Sequence, residues 1–193
     1  MARNASPGVR DRRHGLRTWI EIDRRALAFN FDYFKKRAHG AAVMAMVKSN
    51  AYGHGLALVA KSLLALRSFS EGGWCGVDSI VEALRLRREG IKNPILVLGY
   101  TLPDRYRDAR AAQVIVTISH FEALRAFARA RQRPAFHIKL DTGMHRQGFQ
   151  EHEIPELIRL VSRYRLKPAG IYSHLAEATN RRYSARQINA FER

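Results

Sequence analysis

With 193 residues, 46% of them hydrophobic, the chain can bury the core of one globular domain, and no apolar run approaches the ~18 residues of a membrane span. Its single cysteine excludes an intramolecular disulfide and is typical of a reducing, cytoplasmic compartment. The formal charge of +17 is high enough to attract nucleic acid or an anionic membrane. Because the arginines are spread over nearly every predicted helix, we interpret them as solvated helix faces and expect no specific nucleic-acid or membrane partner.

The amino-terminal part of the sequence predicts a tail and then one helix. Residues 1–17 are basic, contain Gly, Ser and Pro, and lack an apolar period, so we expect a mobile tail ahead of a domain over residues 18–193. Residues 19–22 are predicted to form a short strand-like lead-in. Asp23 is placed to cap a helix whose inner face is predicted to carry Leu27, Phe31, Phe34 and Ala38.

Apolar runs predict six strands. The run over residues 43–47 predicts a strand buried on both faces, with Lys48 at its carboxyl end. The helix after it is predicted to place Leu56, Val59, Ala60, Leu63 and Leu64 on one face. The other five strands are predicted at residues 74–77, 94–99, 114–118, 136–140 and 169–173.

Helical patterns separate these strands. Capping-box sequences at Ser79 and Ser119 each predict the start of a helix. The helix that begins near Pro155 is predicted to bury Leu157, Ile158 and Val161. This alternation is typical of parallel βα units and favours an α/β fold, a (β/α)8 TIM-type barrel of which about six units are present. A doubly wound sheet is the alternative.

Several polar side chains stand at predicted strand ends. Lys48 ends the first strand, Lys139 and Arg146 end and follow the fifth, and His174 ends the sixth. In a barrel these carboxyl ends meet, so we expect the side chains to share one pocket. A lysine there is partly desolvated, which favours its neutral amine, and a neutral amine can form a Schiff base with an aldehyde cofactor.

Three segments carry a family resemblance. The sequence Lys48-Ser-Asn-Ala-Tyr-Gly-His-Gly closely resembles the segment of alanine racemases that binds pyridoxal 5'-phosphate (PLP) covalently. His-Ile-Lys-Leu-Asp-Thr-Gly-Met-His-Arg-Gln-Gly-Phe at residues 137–149 is similar to that family's motif at the fifth strand. Gly-Ile-Tyr-Ser-His-Leu-Ala at residues 170–176 resembles a third motif, in the family's order. The similarity runs from about Trp19 to the last residue.

The resemblance implies a role for each residue. Lys48 would hold the cofactor as an internal aldimine and act as a catalytic base. Tyr52 would bind the cofactor phosphate, and His174 would lie against the pyridine ring. Arg146 would contact the phenolate oxygen and help to bind the substrate carboxylate, while Lys139 would be carbamylated. Without the motifs, Tyr52 would be interpreted as a turn residue, His174 as a core histidine and Arg146 as a surface arginine. No metal site is expected, since metal-ligand spacings are absent.

By the same resemblance, the parent protein is an isomerase that interconverts L- and D-alanine, supplies D-alanine for peptidoglycan, and acts as a homodimer. The family's second catalytic base is a tyrosine on a C-terminal β-domain, so we expect this chain to be the N-terminal part and to be inactive by itself. Alternatives are a broad-specificity or serine racemase of the same fold, a non-catalytic PLP-binding barrel protein, and a polyanion-binding module.

Overall fold

The computed structural model describes residues 17–193. The predicted tail of residues 1–17 therefore lies outside the described residues, except for Arg17. Residues 19–22, predicted as a strand-like lead-in, join no strand of the sheet. No helix among the described residues has both the length and the apolar character needed to cross a membrane.

Six parallel strands in residues 17–193 form one sheet in the order β1-β2-β3-β4-β5-β6 and curl into a half-barrel. This confirms the predicted partial (β/α)8 barrel. The doubly wound alternative is wrong, because such a sheet reverses its strand order at a switch point and this one does not. The strands are β1 (Met44–Met46), β2 (Trp74–Val77), β3 (Ile95–Tyr100), β4 (Ile115–Ile118), β5 (Phe136–Lys139) and β6 (Gly170–Tyr172).

Helices connect the strands and cover the outer face of the sheet. The described helices are α1 (Arg24–Arg37), α2 (Lys48–Tyr52), α3 (Leu56–Leu64), α4 (Arg67–Ser70), α5 (Ile80–Arg88), α6 (Tyr106–Ala111), α7 (Phe121–Arg129), α8 (Ile154–Arg163) and α9 (Arg181–Glu192). Short 3-10 turns at Pro103–Arg105 and Glu151–Glu153 precede α6 and α8.

The hydrophobic core lies between the sheet and these helices. Val97 and Val116 from the middle strands are fully buried with Leu86 of α5 and Leu124 of α7. Along β5, successive side chains point to opposite faces, so Phe136 and Ile138 belong to this core while Lys139 faces the inside of the half-barrel. Because side chains alternate along the strand, Lys139 lies on the inner face, at the carboxyl end of the strand, where barrel proteins form their sites.

The predicted burial of β1 on both faces is wrong. Met44 and Ala45 are half-buried and Met46 is exposed. Among the described residues β1 pairs with β2 alone, so it is an edge strand of an open half-barrel and one side of it faces solvent. An apolar run does not report how many neighbours a strand has.

Helix faces and caps follow the predictions with three corrections. The Asp23 carboxylate caps α1, and Ser79 forms the capping box of α5 with Glu82. Ser119 does not cap α7; His120 does, with Nδ1 accepting the Ala123 N–H at 3.3 Å, because the Ser119 hydroxyl is engaged inside the barrel mouth. Two side chains predicted as inward, Phe34 on α1 and Ile158 on α8, are exposed.

Candidate active site

Lys48 follows β1 directly and begins a turn of unusual backbone geometry. Ser49, Asn50, Ala51 and Tyr52 have φ between 52° and 55°, so the segment is a left-handed helical turn. Each non-glycine residue in this region costs about 1–2 kcal/mol, and such strain concentrates at functional sites. This left-handed conformation was not predicted from the sequence.

Asn50 and His54 hold the left-handed turn. The Asn50 amide oxygen accepts the Leu56 N–H at 2.9 Å, and the Asn50 N–H donates to the Glu82 carboxylate at 3.3 Å. Nδ1 of His54 lies 2.8 Å from the Ala51 carbonyl oxygen. These contacts fix the direction in which Lys48 leaves the strand, and they give His54 a structural role.

The Lys48 side chain is 31% exposed, and its Nζ lies 3.8 Å from Oδ1 of Asp78, which follows β2. The amine is thus partly desolvated at the mouth of the half-barrel, as the sequence predicts for a lysine at a strand end. Asp78 provides a negative charge beside it. Sequence reasoning missed Asp78, because the contact depends on β1 and β2 being neighbours.

Lys139 ends β5 and is only 4% exposed. Burial lowers the pKa of its amine, and the positive charges of Arg146 and Lys48 lower it further, against an opposing effect of Asp141. The amine lies 3.5 Å from Oε1 of Gln147 and 5.9 Å from the centre of the Tyr172 ring. It is therefore an inward cation held among other cations.

Arg146 lies in a loop shaped by the Asp141 carboxylate. Oδ1 of Asp141 accepts three backbone N–H groups and Oδ2 accepts that of Arg146, all at 2.9–3.0 Å; the three are those of Gly143, Met144 and His145. Burial alone would raise the pKa of Asp141, but these hydrogen bonds outweigh it and hold the pKa below its usual value. The loop is built around an ionised carboxylate.

His174 follows β6, and its backbone carbonyl accepts a hydrogen bond from the Gln187 amide of α9 at 3.0 Å. Burial lowers the pKa of the imidazole. Nearby positive charge lowers it further, from Arg146, Lys139 and Lys48. The structure thus brings four of the five predicted site residues close enough to interact electrostatically, and it favours a neutral His174.

Tyr52, the fifth predicted residue, stands on the same turn as Lys48. Its side chain is 60% exposed and, among residues 17–193, forms no hydrogen bond. The structure therefore places Tyr52 beside Lys48 without a side-chain hydrogen bond to any of the other four residues.

Two residues of the pocket lining were not predicted. The Tyr172 hydroxyl lies 2.9 Å from that of Thr117, across the inside of the half-barrel. The alternation of inward and outward residues along β4 and β6 is the signal that could have found them. Among residues 17–193, no three or more His, Cys, Asp or Glu residues are grouped as metal ligands would be.

Comparisons with known proteins agree with this geometry. Residues 22–193 match the family model described as alanine racemase, N-terminal domain. Alanine racemase 1 of Bacillus subtilis is 38% identical over 183 residues, which cover 91% of this chain and 46% of that protein. The crystal structure of alanine racemase from Corynebacterium glutamicum has a TM-score of 0.79 at 31% identity, covering 89% of this chain and 50% of that one.

A histidine racemase from Leuconostoc mesenteroides subsp. sake is also similar, with a TM-score of 0.74 at 28% identity over 88% of this chain and 47% of that one. The chain spans about half the length of the curated relatives it matches. The family model covers nearly all of the described residues. The chain therefore belongs to the family of the alanine racemase N-terminal domain.

Proposed function

We propose that this chain provides the PLP-binding half of an amino-acid racemase whose substrate is alanine. The observation that supports the proposal best is the position of Lys48, whose partly exposed amine stands at the barrel mouth within electrostatic range of Lys139 and His174. By family resemblance, the whole enzyme acts in the cytoplasm as a homodimer and supplies D-alanine for peptidoglycan.

The residues present fit this cofactor. PLP carries an aldehyde, a phenolate and a phosphate, and so it brings negative charge to the site. Burial lowers the pKa values of Lys139 and His174, and neighbouring cations lower both further, which indicates that the mouth holds positive charge in excess of its carboxylates. An anionic group would relieve this repulsion. Lys48 would bind the aldehyde, Arg146 the phenolate and Tyr52 the phosphate.

Bound PLP would supply electron withdrawal that makes the Cα proton of an amino acid easier to remove. The neutral amine of Lys48 would take that proton, and the Asp78 carboxylate 3.8 Å away would stabilise the ammonium that results. The Arg146 guanidinium, on a loop fixed by Asp141, would bind the substrate carboxylate. A neutral His174 would pack against the ring without repelling its nitrogen.

The proposed cofactor attachment is tested by spectroscopy at micromolar protein concentration. The chain purified with PLP is expected to absorb in the visible, and Lys48→Ala is expected to lose that band. Lys92→Ala, at an exposed lysine between α5 and β3, is the matched control and is expected to keep it. A Lys48→Ala protein with an unchanged band would contradict the assignment.

Substrate specificity is tested in a separate experiment, on the longest form of the protein that can be expressed. Loss of optical activity is measured with alanine, serine and histidine, and the proposal predicts the highest kcat/KM for alanine. Faster turnover of serine or histidine would favour the broad-specificity alternative. We expect the 193-residue chain alone to bind PLP without racemising alanine, because inversion is simplest with one base on each face and the motifs supply only Lys48.

A further inference from the structure

A group of exposed cations lies at the end of the half-barrel where the strands begin, opposite the candidate active site. In a parallel βα fold the helices end there, because the chain has to return to that end of the sheet to enter the next strand. The last turns of α6, α7 and α8 carry Arg110, Arg129 and Arg163, and all three are exposed. The partial negative charge of a helix carboxyl end stabilises cations at these positions, so the three alone indicate no partner.

Four further cations lie beyond the helix ends. Arg131 and Arg133 follow α7, Arg165 and Lys167 follow α8, and each of them is exposed. The effect of a helix dipole falls off within the last turn, so it does not account for these four. Among residues 17–193, none of the seven cations forms an ion pair, and we call them together the basic patch. The three described segments that carry the patch and lead into β4, β5 and β6 contain no Asp or Glu; they are residues 109–114, 128–135 and 162–169.

The basic patch is continuous, because β4, β5 and β6 are neighbours in the sheet. Paired strands lie about 4.8 Å apart, so the three segments enter the sheet side by side within about 10 Å. Hydrogen bonds fix their backbone: the Arg87 guanidinium donates to the carbonyls of Ala112 and Gln113 at 2.8 and 3.0 Å, and the Arg165 N–H donates to that of Ser162 at 2.9 Å. Arg165 has a φ of 51° just after its helix, where glycine is the usual residue. A cation is therefore present at a position where glycine would cost less backbone strain.

The residue types of the basic patch indicate the chemistry of its partner. Six of the seven cations are arginines. A guanidinium donates two parallel hydrogen bonds to a phosphate, which favours arginine over lysine for phosphate recognition. Cations spread over three segments can neutralise several phosphates at once, and the backbone of a nucleic acid offers such a row of phosphates.

Side chains that would favour another partner are absent from these three segments of the described structure. None of their large apolar side chains is exposed, whereas binding to a membrane surface depends on apolar burial as well as on charge. Their one aromatic residue, Tyr164, packs against the core, so no ring is free to stack on the bases of a single strand. We infer that the basic patch binds the phosphate backbone of double-stranded nucleic acid, without preference for sequence. Because the patch lies opposite the barrel mouth, this inference does not rest on the proposed racemase function.

The test compares two triple variants of the full chain that have the same net charge. The patch variant carries Arg131→Gln, Arg133→Gln and Arg165→Gln. The control variant carries Arg24→Gln, Arg107→Gln and Arg182→Gln, at exposed arginines in the first turns of α1, α6 and α9, which lie at the other end of the half-barrel. Binding to a labelled DNA duplex of about 20 base pairs, roughly two helical turns, is measured by fluorescence anisotropy over about 50–200 mM salt. The basic amino-terminal tail is the same in all the proteins, so differences between them report the substituted arginines.

The patch variant is expected to bind the duplex at least about tenfold more weakly at the low-salt end, with a salt slope smaller by about 2–3, because each lost phosphate contact removes about 0.9 from the slope. The control variant should change the affinity by less than about threefold, since its charges lie about a Debye length or more from the bound phosphates. Arg165→Gly should also weaken binding, and it should keep or raise the midpoint of urea denaturation, because glycine adopts a positive φ at lower cost.

Vesicles of phosphatidylglycerol provide the comparison with a membrane surface. We expect the two triple variants to bind them equally. An equal loss of duplex binding in the two triple variants would show that net charge alone attracts the duplex, and it would overturn the inference. A patch variant that loses vesicle binding and keeps duplex binding would overturn it in favour of a membrane partner.

Discussion

The backbone N–H of Arg146 donates to Oδ2 of Asp141 at 3.0 Å, and so the loop that carries the arginine is closed on a carboxylate five residues earlier. The other carboxylate oxygen accepts the N–H groups of Gly143, Met144 and His145. One negative charge therefore determines the shape of the segment that delivers Arg146 to the barrel mouth. This arrangement predicts a pH-dependent stability.

Asp141→Asn is expected to lower the free energy of unfolding by about 1–3 kcal/mol at neutral pH, because a neutral amide accepts fewer of the four N–H groups. The hydrogen bonds hold the pKa of Asp141 below its usual value in the folded state. Its stabilising effect is therefore present above the unfolded pKa of about 3.9 and is lost as pH falls through the lower, folded pKa. We expect the difference in free energy of unfolding between the unsubstituted chain and Asp141→Asn, measured by urea denaturation, to be smaller at acid pH than at pH 7.

The control for this experiment is Asp104→Asn, at an exposed aspartate of the 3-10 turn before α6. It should change stability by less than about 0.5 kcal/mol at any pH. An Asp141→Asn effect of the same size at neutral and acid pH would show that the lost contribution is not that of the ionised carboxylate.

Arg87, at the end of α5, is predicted to stabilise the fold at the end of the half-barrel opposite the candidate site, where the strands begin. Its guanidinium donates to four backbone carbonyls at 2.6–3.0 Å, those of Ile91, Asn93, Ala112 and Gln113. Arg87→Met should cost about 2–3 kcal/mol, since carbonyls on both sides of β3 lose their donor together.

Two further substitutions test whether the shape of the Arg87 guanidinium stabilises the protein, and not only its positive charge. Arg87→Lys should recover only part of the loss, because an ammonium is a point donor and cannot span four carbonyls. Arg88→Met, at the exposed neighbouring arginine, should be nearly neutral. Equal denaturation midpoints for Arg87→Met and Arg88→Met would show that the four hydrogen bonds contribute nothing net.

The strands and helices could be predicted because their apolar periods are local, and Lys48 could be found because it follows one such strand. The contact of Lys48 with Asp78 could not, since it depends on which strands are neighbours. The cap of α7 was misassigned because the Ser119 hydroxyl is used by Gln147, 28 residues away. Both features depend on contacts between residues far apart in the sequence. Such contacts are determined by the order of the strands in the sheet and by loops that cross the strand ends, and no local sequence pattern reports them.

Gly170 at the start of β6 is predicted to be intolerant of a side chain. A Cβ there would lie 2.7 Å from the His137 ring, which stands between Trp74 and Tyr172 inside the half-barrel. Gly170→Ala should destabilise the protein by about 1–3 kcal/mol through overpacking. Gly76→Ala on β2 is the comparison, because its Cβ would meet mainly the flexible ends of Met44 and Met46, which can move. A thermal midpoint lowered equally by both substitutions would contradict the idea that ring rigidity decides the cost.

The open edges of the sheet predict self-association of the chain expressed by itself. Within residues 17–193, β1 pairs only with β2 and β6 only with β5, so each edge presents unpaired backbone groups. Each such group that becomes buried unpaired costs roughly 1–3 kcal/mol, a large share of a typical stability of about 5–15 kcal/mol. Sedimentation over a range of concentrations should show oligomers or aggregates.

Ile171→Lys, which replaces an exposed apolar side chain of β6 with a charged one, should weaken the association, because an edge lysine opposes strand pairing. Val81→Lys, at a similarly exposed position on α5, should not. A monomer with a sharp, reversible and concentration-independent thermal transition would mean that the six-stranded unit closes its edges in another way.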